Sequence, residues 1–152
     1  MFENGSQQWG TPVAILRLNY AIDLRYGVLL DIGRAVFERR PVDLRMPLVN
    51  VIWQGDANSW CLRSFAHCQS PALLLNITGR EILSVREIAM EFSRQLGIAP
   101  EFAGQPGATA LLPTAARALR LLWDHTRGSA QIITCTPPRH TRRVEAHDHP
   151  AT

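Results

Sequence analysis

One residue type that often performs chemistry, lysine, is missing from this chain. All 16 basic residues of this 152-residue chain are arginines, and the sequence contains no lysine. A Schiff base, a phosphate-binding P-loop lysine and a lysine general base each need an amine whose pKa can be lowered, whereas arginine stays charged. The sequence therefore excludes all three kinds of lysine chemistry from this chain.

The ten glycines are not spaced as in known phosphate-binding loops. No G-x-G-x-x-G follows an expected strand, and the chain has neither a Walker loop nor a G-x-S-x-G nucleophile elbow. We therefore expect no segment of this chain to hold a nucleotide's phosphates, and no serine nucleophile.

Cysteine and histidine offer little for metal chemistry. Cys61, Cys68 and Cys135 are odd in number and widely spaced, which argues against a disulfide framework and a four-cysteine zinc site. We expect buried free thiols in a reducing compartment. Residues 1–8 show no signal-peptide pattern, which together with the thiols predicts a cytoplasmic protein. His147-Asp148-His149 could bind a metal weakly, but it lies in a Pro- and Arg-rich tail, and we predict no metal site.

Composition limits the remaining classes of function. A hydrophobic content of 46% is sufficient for one domain with a core. Residues 125–152 carry four arginines and two carboxylates, so most of the net charge of +3 lies in this tail. The rest of the chain has no strong basic field, which disfavours a nucleic-acid-binding domain. No apolar run approaches the ~18 residues that span a bilayer.

Strands and helices alternate in the hydrophobic pattern. Residues 2–9 are expected to end a helix that stops at Gly10, and the almost continuously apolar segment 12–20 suits a strand covered on both faces. Ser84 and Glu87 form a capping box that begins a helix, and Gly97 provides its left-handed stop. The other expected elements are strands over 48–53 and 72–77 and helices over 28–39, 56–67 and 113–123, with Asp56 as an N-cap. This order predicts an α/β fold over residues 1–123, followed by a poorly ordered tail over 124–152.

The same segments, in the same order, resemble the C-terminal half of an NAD-dependent epimerase/dehydratase of the extended short-chain dehydrogenase/reductase superfamily. The resemblance covers about residues 2–122 and rests on the order and spacing of its segments. They are Ile15–Tyr20, Arg39–Pro41, Val49–Trp53 with Asp56, Leu75–Gly79, and Leu83–Ala89 with Leu96 and Gly97.

The resemblance implies a partial Rossmann-like fold, comprising the last strands and helices plus a small substrate-binding lobe. The family uses NAD or NADP, a Tyr-x-x-x-Lys pair for catalysis, and often a nucleotide sugar as substrate. Residues 2–9 would represent the last turns of the helix that carries the catalytic pair, and the Gly-rich loop would lie upstream of Met1. Since the chain has neither the Gly-rich loop nor any lysine, we expect it to be inactive alone and to bind neither cofactor tightly.

The resemblance also implies site residues at the end of the first strand. Arg17, Asn19 and Tyr20 would lie near the nicotinamide end of the cofactor, and Asn19 near the substrate. The spacing is Arg-Leu-Asn instead of the family's Arg-x-x-Asn, and Tyr20-Ala-Ile-Asp23 replaces its Tyr-Gly-Pro. The alternatives are that Arg17 pairs with Asp23 or Asp31, and that Asn19 bonds to backbone.

Further substrate contacts are implied for Arg25, Trp53 and Asp56. Asp56 matches the family's acidic position after the late strand, and its alternative role is the N-cap. Trp53 and Trp60 could stack on a sugar, or could pack in the core. Arg25 could face a phosphate, or could be a solvated surface residue.

The sequence also allows two other interpretations of the chain's function. The chain could be a non-enzymatic interaction module whose exposed sheet edge recruits a companion chain or its own copy. It could also be a truncated gene product that folds poorly.

Overall fold

The computed structural model describes residues 1–107 and 112–122. The described residues form two compact units: the first comprises residues 1–21, 50–80 and 113–122, and the second residues 22–49, 81–107 and 112. The helices are α1 (Phe2–Trp9), α2 (Val28–Phe37), α3 (Gln54–Ser64), α4 (Val85–Leu96) and α5 (Ala116–Leu122), with a 3-10 turn at Phe65–His67. The strands are β1 (Ala14–Leu18), β2 (Ala21–Ile22), β3 (Val42–Asp43), β4 (Leu48–Val49), β5 (Ile52–Trp53), β6 (Leu73–Ile77), β7 (Leu83–Ser84) and β8 (Phe102–Ala103).

A parallel pair of strands organises the first unit. β1 pairs with β6 in a register that places Ala14 opposite Leu73 and Leu18 opposite Ile77. Along β6, buried and half-buried side chains alternate, as expected when one face of a strand is turned to a core. Both strands therefore end at the same edge of the sheet, with Asn19 following one and Thr78 following the other.

Helices α3 and α5 complete the core of the first unit. Trp60 of α3 is only 2% exposed and lies in a cluster with the inward side chains of β6 and the apolar face of α5. The buried members of this cluster are Ile52, Ala57, Trp60, Leu73, Leu75, Ile77, Ala118 and Leu122. Trp60 is thus a core residue, which decides against a sugar-stacking role for it.

The N-terminal helix is attached to the first unit through polar contacts. α1 ends at Gly10, which has a left-handed φ of 64°, as the sequence predicts. The hydroxyl of Ser6 is buried and donates to the carbonyl of Thr11 at 2.8 Å, while the carbonyl of Ser6 accepts from the Ser70 hydroxyl at 2.7 Å.

The second unit is built on the pairing of α2 with α4. Gly33 of α2 permits this approach, because a Cβ there would lie 3.2 Å from the ring of Phe92 of α4. Short strands flank the helices: β3 runs parallel to β8, and β4 antiparallel to β7. The Arg86 guanidinium lies 4.2 Å from the centre of the Phe102 ring, a cation–π geometry.

Helix α4 begins where the sequence predicts. The Ser84 hydroxyl accepts from the backbone N–H of Glu87 at 3.3 Å, and Gly97 ends the helix with a φ of 68°. This contact satisfies one of the N–H groups that every helix leaves without an internal partner.

Several expectations were wrong in detail. Asp56 is the third residue of α3 and Trp53 holds the N-cap position, so Asp56 is not the N-cap. β1 is not covered on both faces, since Arg17 and Leu18 are exposed. Cys61 is exposed and Cys68 half-buried, so these thiols are free but not buried. Cys135, the expected tail over 124–152 and its His147-Asp148-His149 lie outside the described residues.

The α/β fold class is confirmed, with parallel strand pairs and helices in both units. Across residues 1–107 and 112–122, no helix is long and apolar enough to span a membrane. The same residues contain no group of three or more His, Cys, Asp or Glu arranged to hold a metal ion.

We predict that Ser84→Ala lowers the free energy of unfolding by about 1 kcal/mol, the usual cost of losing a serine N-cap. Ser93→Ala is the matched control, because Ser93 lies inside the same helix, where alanine is a better helix former. Chemical denaturation of both variants measures the difference. Equal stability of the two would show that the Ser84 cap contributes nothing.

Candidate functional site

The carboxyl ends of β1 and β6 carry a set of hydrogen-bonded polar residues. We call Asn19, Asn50, Thr78 and Pro113 the Asn50 cluster, because the side chain or carbonyl of Asn50 bonds each of the others. All four belong to the first unit. In open α/β sheets ligands bind beyond the carboxyl ends of parallel strands, which makes this edge the candidate site.

Asn50 is the centre of the cluster and is only 3% exposed. Its side-chain oxygen accepts from the Asn19 amide at 2.7 Å, and its own amide donates to the Pro113 carbonyl at 3.0 Å. Its backbone carbonyl accepts from the fully buried Thr78 hydroxyl at 3.4 Å. A buried amide needs both donor and acceptor partners, and here it has them.

Asn19 is held from two sides. Its backbone N–H donates to the Ile77 carbonyl at 3.0 Å, which extends the β1–β6 ladder by one residue. Its side-chain amide donates to Asn50, which fixes the orientation of the side chain. The expectation that Asn19 bonds to backbone is met only in part, because its shorter side-chain contact, at 2.7 Å, is to another side chain and that to the Asn50 carbonyl is 3.4 Å.

Tyr20 has an unusual backbone. Its φ is 40°, in the left-handed region that tyrosine rarely adopts, and its carbonyl accepts from the N–H of Ile52 at 3.2 Å. Such conformations cost about 1–3 kcal/mol and concentrate at functional sites. Tyr20 directly follows Asn19 of the Asn50 cluster and is 46% exposed, so its side chain is available to a ligand.

The backbone after β6 contacts the backbone before β5 closely, at Gly79 and Val51. Gly79 follows Thr78, and a Cβ on Gly79 would lie 2.0 Å from the carbonyl oxygen of Val51. Only glycine permits this approach, which brings the segment after β6 against the segment before β5 and so positions Asn50 beside Thr78.

Trp53 and Asp56 lie at the start of α3, in the same unit. Both are half-buried, and both have interacting partners within the structure. Asp56 in the first turn of α3 also complements the positive end of the helix dipole. A structural role therefore accompanies any role in binding.

The expected arginines are placed differently. Arg17 is exposed on β1, opposite Asn76 of β6. Asp23 is bonded by Arg25, whose Nε donates to Oδ1 at 3.1 Å, and not by Arg17. This contact holds the pKa of the Asp23 carboxyl below its usual range. Arg25 belongs to the second unit and its guanidinium is engaged by Asp23, as a surface arginine would be.

Sequence reasoning missed Asn50, Thr78 and Asn76. Asn50 interrupts an apolar run between Val49 and Val51, and an amide in such a run is the one signal that could have identified it. The amide of Asn76 donates to the Thr114 carbonyl at 3.1 Å, a contact between distant segments that no local pattern reveals.

Comparison with solved structures gives matches that cover nearly the whole chain. UDP-glucose 4-epimerase of Thermus thermophilus, in complex with NAD, matches with a TM-score of 0.69 and 18% identity. This match covers 91% of the present chain and 49% of the Thermus thermophilus chain. UDP-glucuronic acid 4-epimerase of Bacillus cereus, in complex with UDP-glucuronic acid and NAD, matches with a TM-score of 0.74 and 12% identity, over 94% of this chain and 49% of its own.

The chain has the fold of half an epimerase. It spans about half the length of the solved structures that it matches, as expected for a C-terminal half. UDP-glucose 4-epimerase of Thermotoga maritima, with UDP-glucose, repeats the pattern with a TM-score of 0.69, 12% identity, and coverage of 94% and 50%. No protein-family model matches the sequence, and no curated protein matches it either. The structural similarity therefore establishes an epimerase-like fold for this chain.

Replacing the central amide tests whether the Asn50 cluster is a structural unit. We predict that Asn50→Ala lowers the free energy of unfolding by about 1–3 kcal/mol, because it leaves the Asn19 amide and the Pro113 carbonyl without their partner. Asn58→Ala is the control, since Asn58 is exposed and its side-chain oxygen accepts from Gln54 on the same helix. Surface changes of this kind fall within about 0.5 kcal/mol. A small effect of Asn50→Ala in urea denaturation would contradict the prediction.

Proposed function

We propose that this chain is the substrate-side portion of an NAD(P)-dependent epimerase/dehydratase-like protein. The observation that carries the proposal is its similarity, over 91% and 94% of its own length, to about half of two epimerases solved with NAD. The substrate class proposed is a nucleotide sugar or a related small polar molecule, since the similar proteins include one solved with UDP-glucuronic acid and one with UDP-glucose.

The chain is proposed to be inactive alone. It contains no lysine, so it cannot hold a Tyr-x-x-x-Lys pair, and its glycines form no dinucleotide-binding loop. A nucleotide-binding half is therefore proposed to supply the phosphate loop, the catalytic tyrosine and lysine. In the complete enzyme NAD would accept and return a hydride, while the tyrosine would handle the proton of the substrate hydroxyl.

Within this proposal the Asn50 cluster orients Asn19 toward the ligands. The amide nitrogen of Asn19 bonds Asn50, whereas the amide oxygen has no partner among the described residues and could accept from a cofactor or a substrate hydroxyl. The exposed side chains of Arg17, on β1, and of Tyr20, just after it, are proposed as further cofactor contacts. Trp53 and Asp56 are proposed substrate contacts at the start of α3.

Arg25 is retained as a proposed substrate contact in a modified form. Its side chain is 78% exposed, but its guanidinium already bonds Asp23 at 3.1 Å. A substrate phosphate would have to share Arg25 with that carboxylate or displace it. A reducing compartment such as the cytoplasm is proposed because Cys61 and Cys68 are free thiols.

Ligand titration of the isolated chain tests the proposal. Calorimetry with NAD and NADP should give no saturable binding up to about 1 mM, where binding is worth only ~4 kcal/mol. The Thermus thermophilus epimerase, solved with NAD, is the positive control. Tight binding of either cofactor by this chain would overturn the claim that a second half is needed.

The substrate arm uses the same protein and UDP-glucose. Saturation-transfer NMR should show transfer from the chain to the sugar, and Asn19→Ala should reduce it while the Asn58→Ala control does not. Equal transfer in the wild type and in Asn19→Ala would remove Asn19 from the substrate site.

A second candidate function, as an interaction module, is favoured by the edge of β1. Within the described residues, β1 and β6 form a sheet of only two strands, and Leu18 at the end of β1 is 55% exposed. Parallel sheets are found almost only inside larger, covered sheets. An open edge of this kind could take a strand from a companion half or from a second copy.

Light scattering over a range of concentrations tests self-association through this edge. The interaction module predicts a mass that rises with concentration and falls back toward the monomer in Leu18→Lys, because a lysine at a strand edge discourages pairing. Leu62→Lys is the control, since Leu62 is 70% exposed and belongs to helix α3, not to a strand. A monomer at every concentration would argue against self-pairing.

A further inference from the structure

A cleft lies at the opposite edge of the first unit, by the amino ends of β1 and β6. It has a volume of about 450 Å³, and its lining includes Gln69 and Leu73 from the segment that enters β6 and Arg117 and Arg120 from α5. Gln69 bridges to Val13 just before β1, which fixes the position of the cleft relative to both strands. All of its lining residues belong to the first unit.

The two arginines of the cleft share one face of α5. Arg117 and Arg120 are three residues apart, so their side chains are neighbours on the helix. Both are exposed, and neither forms an ion pair or a side-chain hydrogen bond with any residue in 1–107 or 112–122. Like charges at this spacing repel, so the pair would be stabilised by an anion between them.

Among residues 1–107 and 112–122, no carboxylate lines the cleft to balance these charges. The other polar side chains that the described part of the chain contributes to the lining are the imidazole of His67, the amide of Gln69 and the thiol of Cys68. The imidazole and the amide are both able to donate hydrogen bonds. The lining therefore combines two guanidinium forks with further hydrogen-bond donors.

The net charge of the first unit also favours anion binding at the cleft. Its described residues carry five arginines and two carboxylates, a net charge of +3. The described residues of the second unit carry seven arginines and eight carboxylates, a net charge of −1. Among the described residues, the positive excess is thus confined to the unit that contains the cleft, where it would attract anions.

We propose that this cleft binds a doubly charged oxyanion, either free phosphate or the terminal phosphate of a small phosphomonoester. Arg117 and Arg120 would each donate from a planar fork that matches phosphate oxygens, and His67 and Gln69 would donate to the remaining oxygens. The site is separate from the Asn50 cluster, because β6 runs between the two edges of the sheet and its four steps from Leu73 to Ile77, at 3.3 Å a step, span roughly 13 Å. It does not depend on the function proposed for the carboxyl edge.

The test is a titration of the full chain with sodium phosphate at constant ionic strength, followed by NMR. The amide resonances of Gln69 and of α5 should shift and saturate with a dissociation constant of about 1 mM or tighter, since two charge-assisted contacts contribute. Arg117→Gln and Arg120→Gln should each weaken binding about tenfold. Arg117→Lys and Arg120→Lys keep the charge but lose the fork, and should bind with intermediate affinity.

Arg39→Gln is the matched control, because Arg39 is an exposed arginine in the second unit and does not line the cleft. It should leave phosphate binding unchanged, and thermal unfolding checks that every variant is folded. Adenosine monophosphate in a parallel titration distinguishes the two sources: competition with phosphate assigns a phosphomonoester, and its failure assigns free phosphate. The proposal is overturned if phosphate gives no saturable shift, if sodium chloride gives the same shift, or if either glutamine variant binds like the wild type.

Discussion

The parallel pairing of β1 with β6 determines where the polar residues at both ends of these strands lie. Its register places Ala14 opposite Leu73 and Leu18 opposite Ile77. A slip of one residue would turn the buried face of β6 outward, because side chains alternate between the faces of a strand. The same pairing carries Asn19 and Thr78 to one edge and Gln69 to the other. The core and both polar edges therefore depend on a single register.

The longer elements could be predicted from the sequence because each carries a local signal. α4 has a serine cap at one end and a glycine at the other, and its apolar spacing leaves no other interpretation. The two-residue strands could not be predicted, since they are too short to show any period. The expected strand over 48–53 is two strands, β4 and β5, because Asn50 leaves the ladder to bond Asn19 and Pro113.

The candidate site was predicted less completely than the fold. Asn19 was found through the end of a strand, and the structure gives it a partner that sequence reasoning did not, because Asn50 is far from it along the chain. Asp56 was assigned to the cap of α3 when the helix begins at Gln54. Boundaries of this kind depend on contacts made by the folded chain, whereas local sequence decides only that a helix exists. The spacing of Arg117 and Arg120 is visible in the sequence, but the cleft that they line needs residues from the entry to β6.

The Asn50 cluster has a consequence for the order of folding. Its four members lie at positions 19, 50, 78 and 113, which span most of the described chain. Contacts between such distant positions form only after long loops have been closed, so they stabilise the chain late in folding. The amide of Asn50 therefore has its partners only when the first unit is already assembled. Structure in the transition state for folding would be concentrated in local elements such as α4, and the candidate site would be among the last parts to acquire its native geometry.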